Sequence, residues 1–288
     1  MKHMFIAIRP KHWIKNMFIF LPLIFGKKLF ISPLNTNTVL AFFLFSIAAS
    51  AVYLMNDIID CEKDKKHPAK KLRPIASGKI STNTAIITSI LLGSIAIAGA
   101  SFLSINFCSI IIIYLIANII YSKILKEAVI IDVFCIAVFF FLRVLAGGIV
   151  AETEISHWLI IMTALIALFL GLNKRRQELL ITDQNPQDRR VVLDKYSTYF
   201  IDQMIAVITS SVVISYMLYT VDERTVSVFG TKNLIYSVPF VYYGIFRYLY
   251  LIHKANADGD PTKLFLSDYK MQLNVILWLI VCAIVIYF

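Results

Sequence analysis

Apolar residues dominate the chain in long runs, and the breaks between them are short, polar and rich in lysine and arginine. Nine runs stand out, at 16–32, 36–57, 82–102, 105–122, 129–150, 156–174, 199–221, 233–252 and 270–288. Each approaches or exceeds the roughly 20 residues with which an α-helix crosses the hydrocarbon core while satisfying its own backbone. The pattern predicts an all-α integral membrane protein, a bundle of about nine transmembrane helices forming one polytopic domain over 1–288. The first run carries Pro22 and the pair Lys27 and Lys28, which predicts a kinked segment with its lysines snorkelling to an interface.

Charge adds a direction. With nine crossings, one side of the bilayer receives Lys2, Arg9, Lys11 and Lys15 together with the basic loops 58–81, 123–128, 175–198 and 253–269. The other side receives only Lys27, Lys28, Arg224 and Lys232. The positive-inside rule then puts the N-terminus and the long loops in the cytoplasm and the C-terminus outside a bacterial-type cytoplasmic membrane. Function is expected on the cytoplasmic face, because the opposite connections are short and featureless.

Composition excludes a soluble domain: 59% of residues are hydrophobic and 16% charged, against about 25% charged in an ordinary soluble domain. The net charge of +10 does not indicate nucleic acid, since the cations are spread over loops and not along one soluble face. Cys61, Cys108, Cys135 and Cys282 lack metal-ligand spacing, so neither a disulfide nor a zinc site is expected. The basic start before an apolar stretch has the charge order of a signal peptide, but no small-residue cleavage site follows, and the segment is expected to be retained.

The densest chemistry is Asn56, Asp57, Asp60 and Asp64, at the end of the second run. On a continuous helix the three carboxylates lie within about 60° of one another, with Asn56 one turn below Asp60. Like charges so placed repel, and they do so at higher cost beside a membrane. Lys63, Lys65 and Lys66 could neutralise them as an ordinary interfacial helix end. A divalent cation relieves the repulsion better, and magnesium is commonly held by one or two carboxylates with substrate phosphates completing its shell. The pattern therefore asks for a diphosphate.

Basic residues are the complement. Arg73, fixed before Pro74, follows the carboxylates closely and suits a forked contact to phosphate oxygens. Lys174, Arg175 and Arg176 close the sixth run beside Glu178, which is one turn from Lys174 and suited to pair with it; the alternative is a plain cationic helix terminus. Tyr121, Lys123 and Lys126, followed by Asp132, form a third cluster that reads equally as an aromatic belt with loop charge. Arg143 lies inside an apolar run and is expected to face the bundle interior, for packing or for a lipid phosphate, with Gly147 and Gly148 as helix-packing surface. Asp258, Asp260 and Asp268 frame the last loop, where Gly259 and Pro261 also fit an ordinary turn.

These residues resemble the UbiA superfamily of intramembrane prenyltransferases, whose hallmark Asn-Asp-x-x-Asp-x-x-x-Asp stretch is matched by Asn56, Asp57, Asp60 and Asp64. The superfamily carries a second aspartate-rich motif after the sixth helix, and here that stretch is basic, Asn173 to Leu179. The departure is similar to the branch that transfers phosphoribose to polyprenyl phosphates. The likeness takes in Arg9-Pro10 with Trp13, Lys15 and Asn16, the run 53–74, Leu142-Arg143 with Ala146-Gly147-Gly148, the Lys174 to Leu179 block and the Asp258 to Asp268 loop.

The resemblance implies Mg2+ held by Asp57, Asp60 and Asp64, with Asn56 in the catalytic group. It further implies phosphate binding by Lys15, Arg73, Tyr121, Lys123, Arg143, Lys174 and Arg175. The implied substrates are phosphoribosyl diphosphate and a polyprenyl phosphate lipid, among membrane lipids and in a possible homo-oligomer. A competing reading is isoprenoid transfer from its diphosphate to an aromatic or lipid acceptor; its second acidic cluster is missing, with Asp183, Asp188 and Asp194 lying further along. A transporter or channel is the third, against which charged residues do not continue along several spans.

Overall fold

The computed structural model describes residues 2–66, 70–182, 196–254 and 261–288. Parts of three expected loops lie outside the described residues, and with them Asp183, Asp188, Asp194, Asp258 and Asp260. Among the described residues the chain is helical throughout, with no strand.

Seven helices are long and apolar enough to cross a membrane. They are Leu34–Ile59, Thr82–Leu103, Ile105–Lys123, Ile131–Val150, His157–Thr182, Thr198–Val221 and Tyr269–Tyr287. Their bounds fall within a few residues of seven of the nine apolar runs, except that His157–Thr182 continues well past the expected end. The other two runs are built differently. The 16–32 region is a 3-10 helix, Pro10–Phe20, running into the short helix Leu21–Phe25. Proline at the start of each piece and Gly26 after the second break the α pattern there. The 233–252 region begins as a 3-10 turn, Asn233–Ser237, and continues as the 17-residue helix Val238–Lys254.

Packing groups the chain into two compact units: Met1–Cys135 with Leu142–Glu154, and Ile136–Phe141 with Ile155–Phe288. In the first, Thr82–Leu103 presents a seam of small residues, Ala85, Gly93, Ala96 and Ala100, all buried. Small side chains let helices approach closely in lipid, where no hydrophobic force drives them together. Ser89 on the same helix donates to the carbonyl of Ala51, 2.9 Å away.

The 3-10 segment lies along Leu34–Ile59. Three residues per turn bring Trp13 and Asn16 onto one face. On the facing α-helix, Ser46 and Ser50 are one turn apart. Trp13 Nε1 donates to Ser50 Oγ at 3.0 Å and Asn16 Nδ2 to Ser46 Oγ at 2.8 Å. Gly147 closes the other side, where an added Cβ would stand 2.0 Å from the Ile19 carbonyl oxygen.

In the second unit, Arg176 Nε reaches Asp202 Oδ1 at 2.5 Å and ties His157–Thr182 to Thr198–Val221. Asp268 caps Tyr269–Tyr287 by accepting from the Met271 amide, and Arg247 forks onto its carboxylate at 2.6 and 3.3 Å. The buried Tyr216 and Ser237 and the half-buried Trp278 form a hydrogen-bonded group.

Candidate active site

Leu34–Ile59 ends within the acidic stretch. Asp57 is in its last turn, Asp60 is its C-terminal cap, and Asp64 is on the next short helix, Cys61–Lys66. The junction bends, yet the Asp60 amide still bonds the Asn56 carbonyl and the Asp64 amide the Asp60 carbonyl, at 2.9 and 2.8 Å. The acidic residues therefore stay at one end of the bundle, although they do not lie on one unbroken helix.

Each carboxylate has a cationic partner. Asp57 Oδ1 accepts from Arg9 and also from Arg73 Nη1 at 3.1 Å. Arg73 Nη1 reaches Asp64 Oδ2 at 2.6 Å, and Lys126 reaches Asp60 Oδ1 at 2.6 Å. Ser122 donates to Asn56 Oδ1 at 2.5 Å. Burial pushes the Asp64 carboxyl up from its ordinary range, against the pull of Arg73.

Local folding explains these placements. Ile75 and Ile80 are buried with Ala7, Leu54 and Ala85, which pins the 70–81 loop and holds Arg73 over the helix end. Arg9 stands between the short helix Lys2–Ala7 and the 3-10 segment with φ of 51°, a left-handed conformation disfavoured for a residue with a Cβ. Its guanidinium lies 5.2 Å from the Tyr53 ring, one turn below Asp57.

Asp57 is 2% exposed, and its Oδ2 has no hydrogen-bond partner. A buried acceptor left unpaired costs about 1–3 kcal/mol, and more when charged. Among the described residues, no three His, Cys, Asp or Glu side chains form a preassembled metal cage. An orphaned carboxylate oxygen beside two more carboxylates fits a hard divalent cation whose remaining ligands arrive with a substrate phosphate.

Of the other expected site residues, Asn56 and Arg73 join this group, but Lys123 does not; it is exposed at the end of Ile105–Lys123, and the nearby Lys126 takes the contact. Tyr121 is half-buried on the same terminal turn, and Lys15 is half-buried beside Asn16 on the 3-10 segment. Arg143 is buried in the first unit, bonding Asn16 Oδ1 at 2.7 Å and Tyr114 Oη at 3.2 Å, with the Phe45 and Tyr114 rings each 5.2 Å away.

The basic block is in the second unit. Arg175 is 1% exposed and pairs with Glu178. Gln177 donates to the Ile252 carbonyl at 3.1 Å. The site residues that sequence reasoning left without a role are Arg9, Lys126 and Ser122. Arg9 entered only among the cytoplasmic cations and in the Arg9-Pro10 likeness, and Lys126 only within the cluster with Tyr121 and Lys123.

Membrane-length helices with a carboxylate cluster held by arginine and lysine side chains at one helix end make a polytopic membrane protein with a charged site suited to anions and hard cations. The chain belongs to the UbiA prenyltransferase family, whose sequence model matches residues 17–276. It is 30% identical over 277 residues to the decaprenyl-phosphate phosphoribosyltransferase of Mycobacterium tuberculosis, covering 95% of this chain and 90% of that one. It is 31% identical to the protein of the same name from Corynebacterium glutamicum, covering 98% and 86%. In fold it is similar to a UbiA homolog from Archaeoglobus fulgidus bound to GPP and Mg2+, with a TM-score of 0.72 at 16% identity over 99% and 100% of the two chains.

Proposed function

We propose that the protein transfers 5-phosphoribose from phosphoribosyl diphosphate to the phosphate of a polyprenyl phosphate, releasing diphosphate, with Mg2+ and at the cytoplasmic face. The observation that carries this reading is the identity of 30–31% along most of the chain to relatives named for that transfer. The orphaned Asp57 oxygen supports the cation, and the solved UbiA homologs with Mg2+ and Cd2+ support divalent metal use in this fold. The lysine and arginine asymmetry supports the orientation.

In the transfer, the bond from ribose C1 to the diphosphate breaks and a bond from C1 to a lipid phosphate oxygen forms. Asp57, with Asp60 and Asp64, would hold Mg2+, and the bound ion would supply charge neutralisation for the leaving diphosphate. Arg73, Arg9 and Lys126 bind the same phosphates and orient C1 towards the acceptor. No side-chain nucleophile is required, because the acceptor already carries an anionic oxygen.

The donor also carries a 5-phosphate, which we assign to the basic block of Lys174 and Arg175 on the resemblance of that block to the phosphoribosyl branch. An isoprenoid diphosphate has only hydrocarbon at that point. Purified protein with Mg2+, labelled phosphoribosyl diphosphate and polyprenyl phosphate should place label in the lipid phase. Lys174→Ala should raise donor KM by a factor of about 10 or more, since a charge-assisted contact contributes about 1.5–3 kcal/mol. Acceptor KM should hold. Transfer of an isoprenoid from its diphosphate, with none of phosphoribose, would replace this reading by ordinary prenyl transfer.

A further inference from the structure

Three carboxylates at the site are matched by three cations, and the matching is unequal in access. Asp57 is 2% exposed at its side chain and Asp64 5%, whereas Arg9 and Arg73 are 23% and 29% exposed. An incoming anion therefore reaches the guanidinium groups before any cation reaches the carboxylates they cover. Asp57 Oδ1 is occupied twice over while Oδ2 is buried without a partner. Arg73 spans Asp57 and Asp64, holding together two of the oxygens a hard cation would need.

We propose that Arg9 and Arg73 are exchangeable counter-ions: a diphosphate draws them off Asp57 and Asp64, and the freed oxygens then take the divalent cation. Cation and diphosphate thus bind with positive coupling, and the empty site discriminates against the cation alone. A guanidinium that pairs with a carboxylate pairs equally with a phosphate oxygen, so each trades one oxyanion for another without being left unpaired. Arg9 is set for this by its place at the junction of two short helices, where a change in one residue's backbone moves its side chain. This inference rests on the metal and diphosphate reading of the site given above.

The test uses the full chain in lipid nanodiscs with Mn2+ as the metal and labelled inorganic pyrophosphate as the anion, and needs no turnover. Free Mn2+ is followed by electron paramagnetic resonance, and pyrophosphate retention is compared at equal free Mn2+ with protein-free controls. In the wild type, Mn2+ should raise pyrophosphate affinity on the order of tenfold, within the usual range of coupling between sites. Arg9→Gln removes a cation from the site, and Mn2+ alone should then bind on the order of tenfold tighter than to wild type, with a smaller effect on pyrophosphate. Arg73→Gln should act in the same direction and serves if Arg9→Gln does not fold. Mn2+ affinity unchanged or weaker in both variants overturns the exchange, provided Asp57→Asn abolishes Mn2+ binding. If Asp57→Asn binds Mn2+ like wild type, the metal assignment itself falls and the exchange with it.

Discussion

Gly147→Ala is the sharpest test of how the site is built. The added methyl carbon would stand 2.0 Å from the Ile19 carbonyl oxygen, 2.8 Å from its carbonyl carbon and 3.0 Å from its Cα. All three are backbone atoms, so relief means moving the Pro10–Phe20 segment away from Ile131–Val150 by about 1 Å or more. Overpacking a filled interior costs about 1–3 kcal/mol and more where nothing can yield, so about 3 kcal/mol or above is expected. Glycine's low helix propensity returns at most about 1 kcal/mol of that. The internal control is Gly99→Ala, where the methyl meets the tip of Leu44 at 2.4 Å and a flexible side chain can turn aside. Unfolding of both variants in mild detergent, by heat or by added denaturing detergent, measures the difference. Because the same segment carries Lys15 and Asn16, Gly147→Ala should also lose transfer activity in nanodiscs. Stability of Gly147→Ala equal to that of Gly99→Ala would show that the two segments do not pack as described.

Replacing Arg143 by Met strands the buried Asn16 oxygen and removes two ring contacts, so a loss of about 1–3 kcal/mol is expected, much of it absent when Asn16→Ala is already present in a double-mutant cycle. The Arg247 fork holds the Asp268 carboxyl below its ordinary range, so its stabilisation is complete above the usual Asp value and is lost as pH falls through the lowered one. Arg247→Gln should therefore weaken the protein at neutral pH and flatten that acid-side loss in unfolding measured against pH. Asp64 has the opposite sign: burial raises its pKa, so its charge costs stability at neutral pH and the cost fades as pH falls through the raised value, a trend Asp64→Asn should erase. In a variant keeping Cys61 alone, an impermeant thiol reagent should label opened membranes and not whole cells; labelling of whole cells would invert the proposed orientation.

What the sequence determined by itself is everything carried by local period and composition. Runs of apolar residues mark seven of the membrane-length helices, because crossing lipid demands both length and an internally bonded backbone. The acidic stretch from Asn56 to Asp64 and the basic block at Lys174 were legible because each lies within three turns of one helix end. Choices between neighbours were not. Glu178 is in reach of both Lys174 and Arg175 on a helix, and spacing alone does not show that it meets the buried Arg175. Two of the three cations on the carboxylates, Arg9 and Lys126, come from 48 and 66 residues away, brought there by the 3-10 segment lying along Leu34–Ile59 and by the turn after Ile105–Lys123. The 16–32 run likewise reads as apolar whether it is one α-helix or a 3-10 segment with a break, since hydropathy does not report the turn. Pairings across such distances depend on which surfaces pack, and packing is settled by the shapes of Gly147, Ile19 and the small residues of Thr82–Leu103, which no local window contains together.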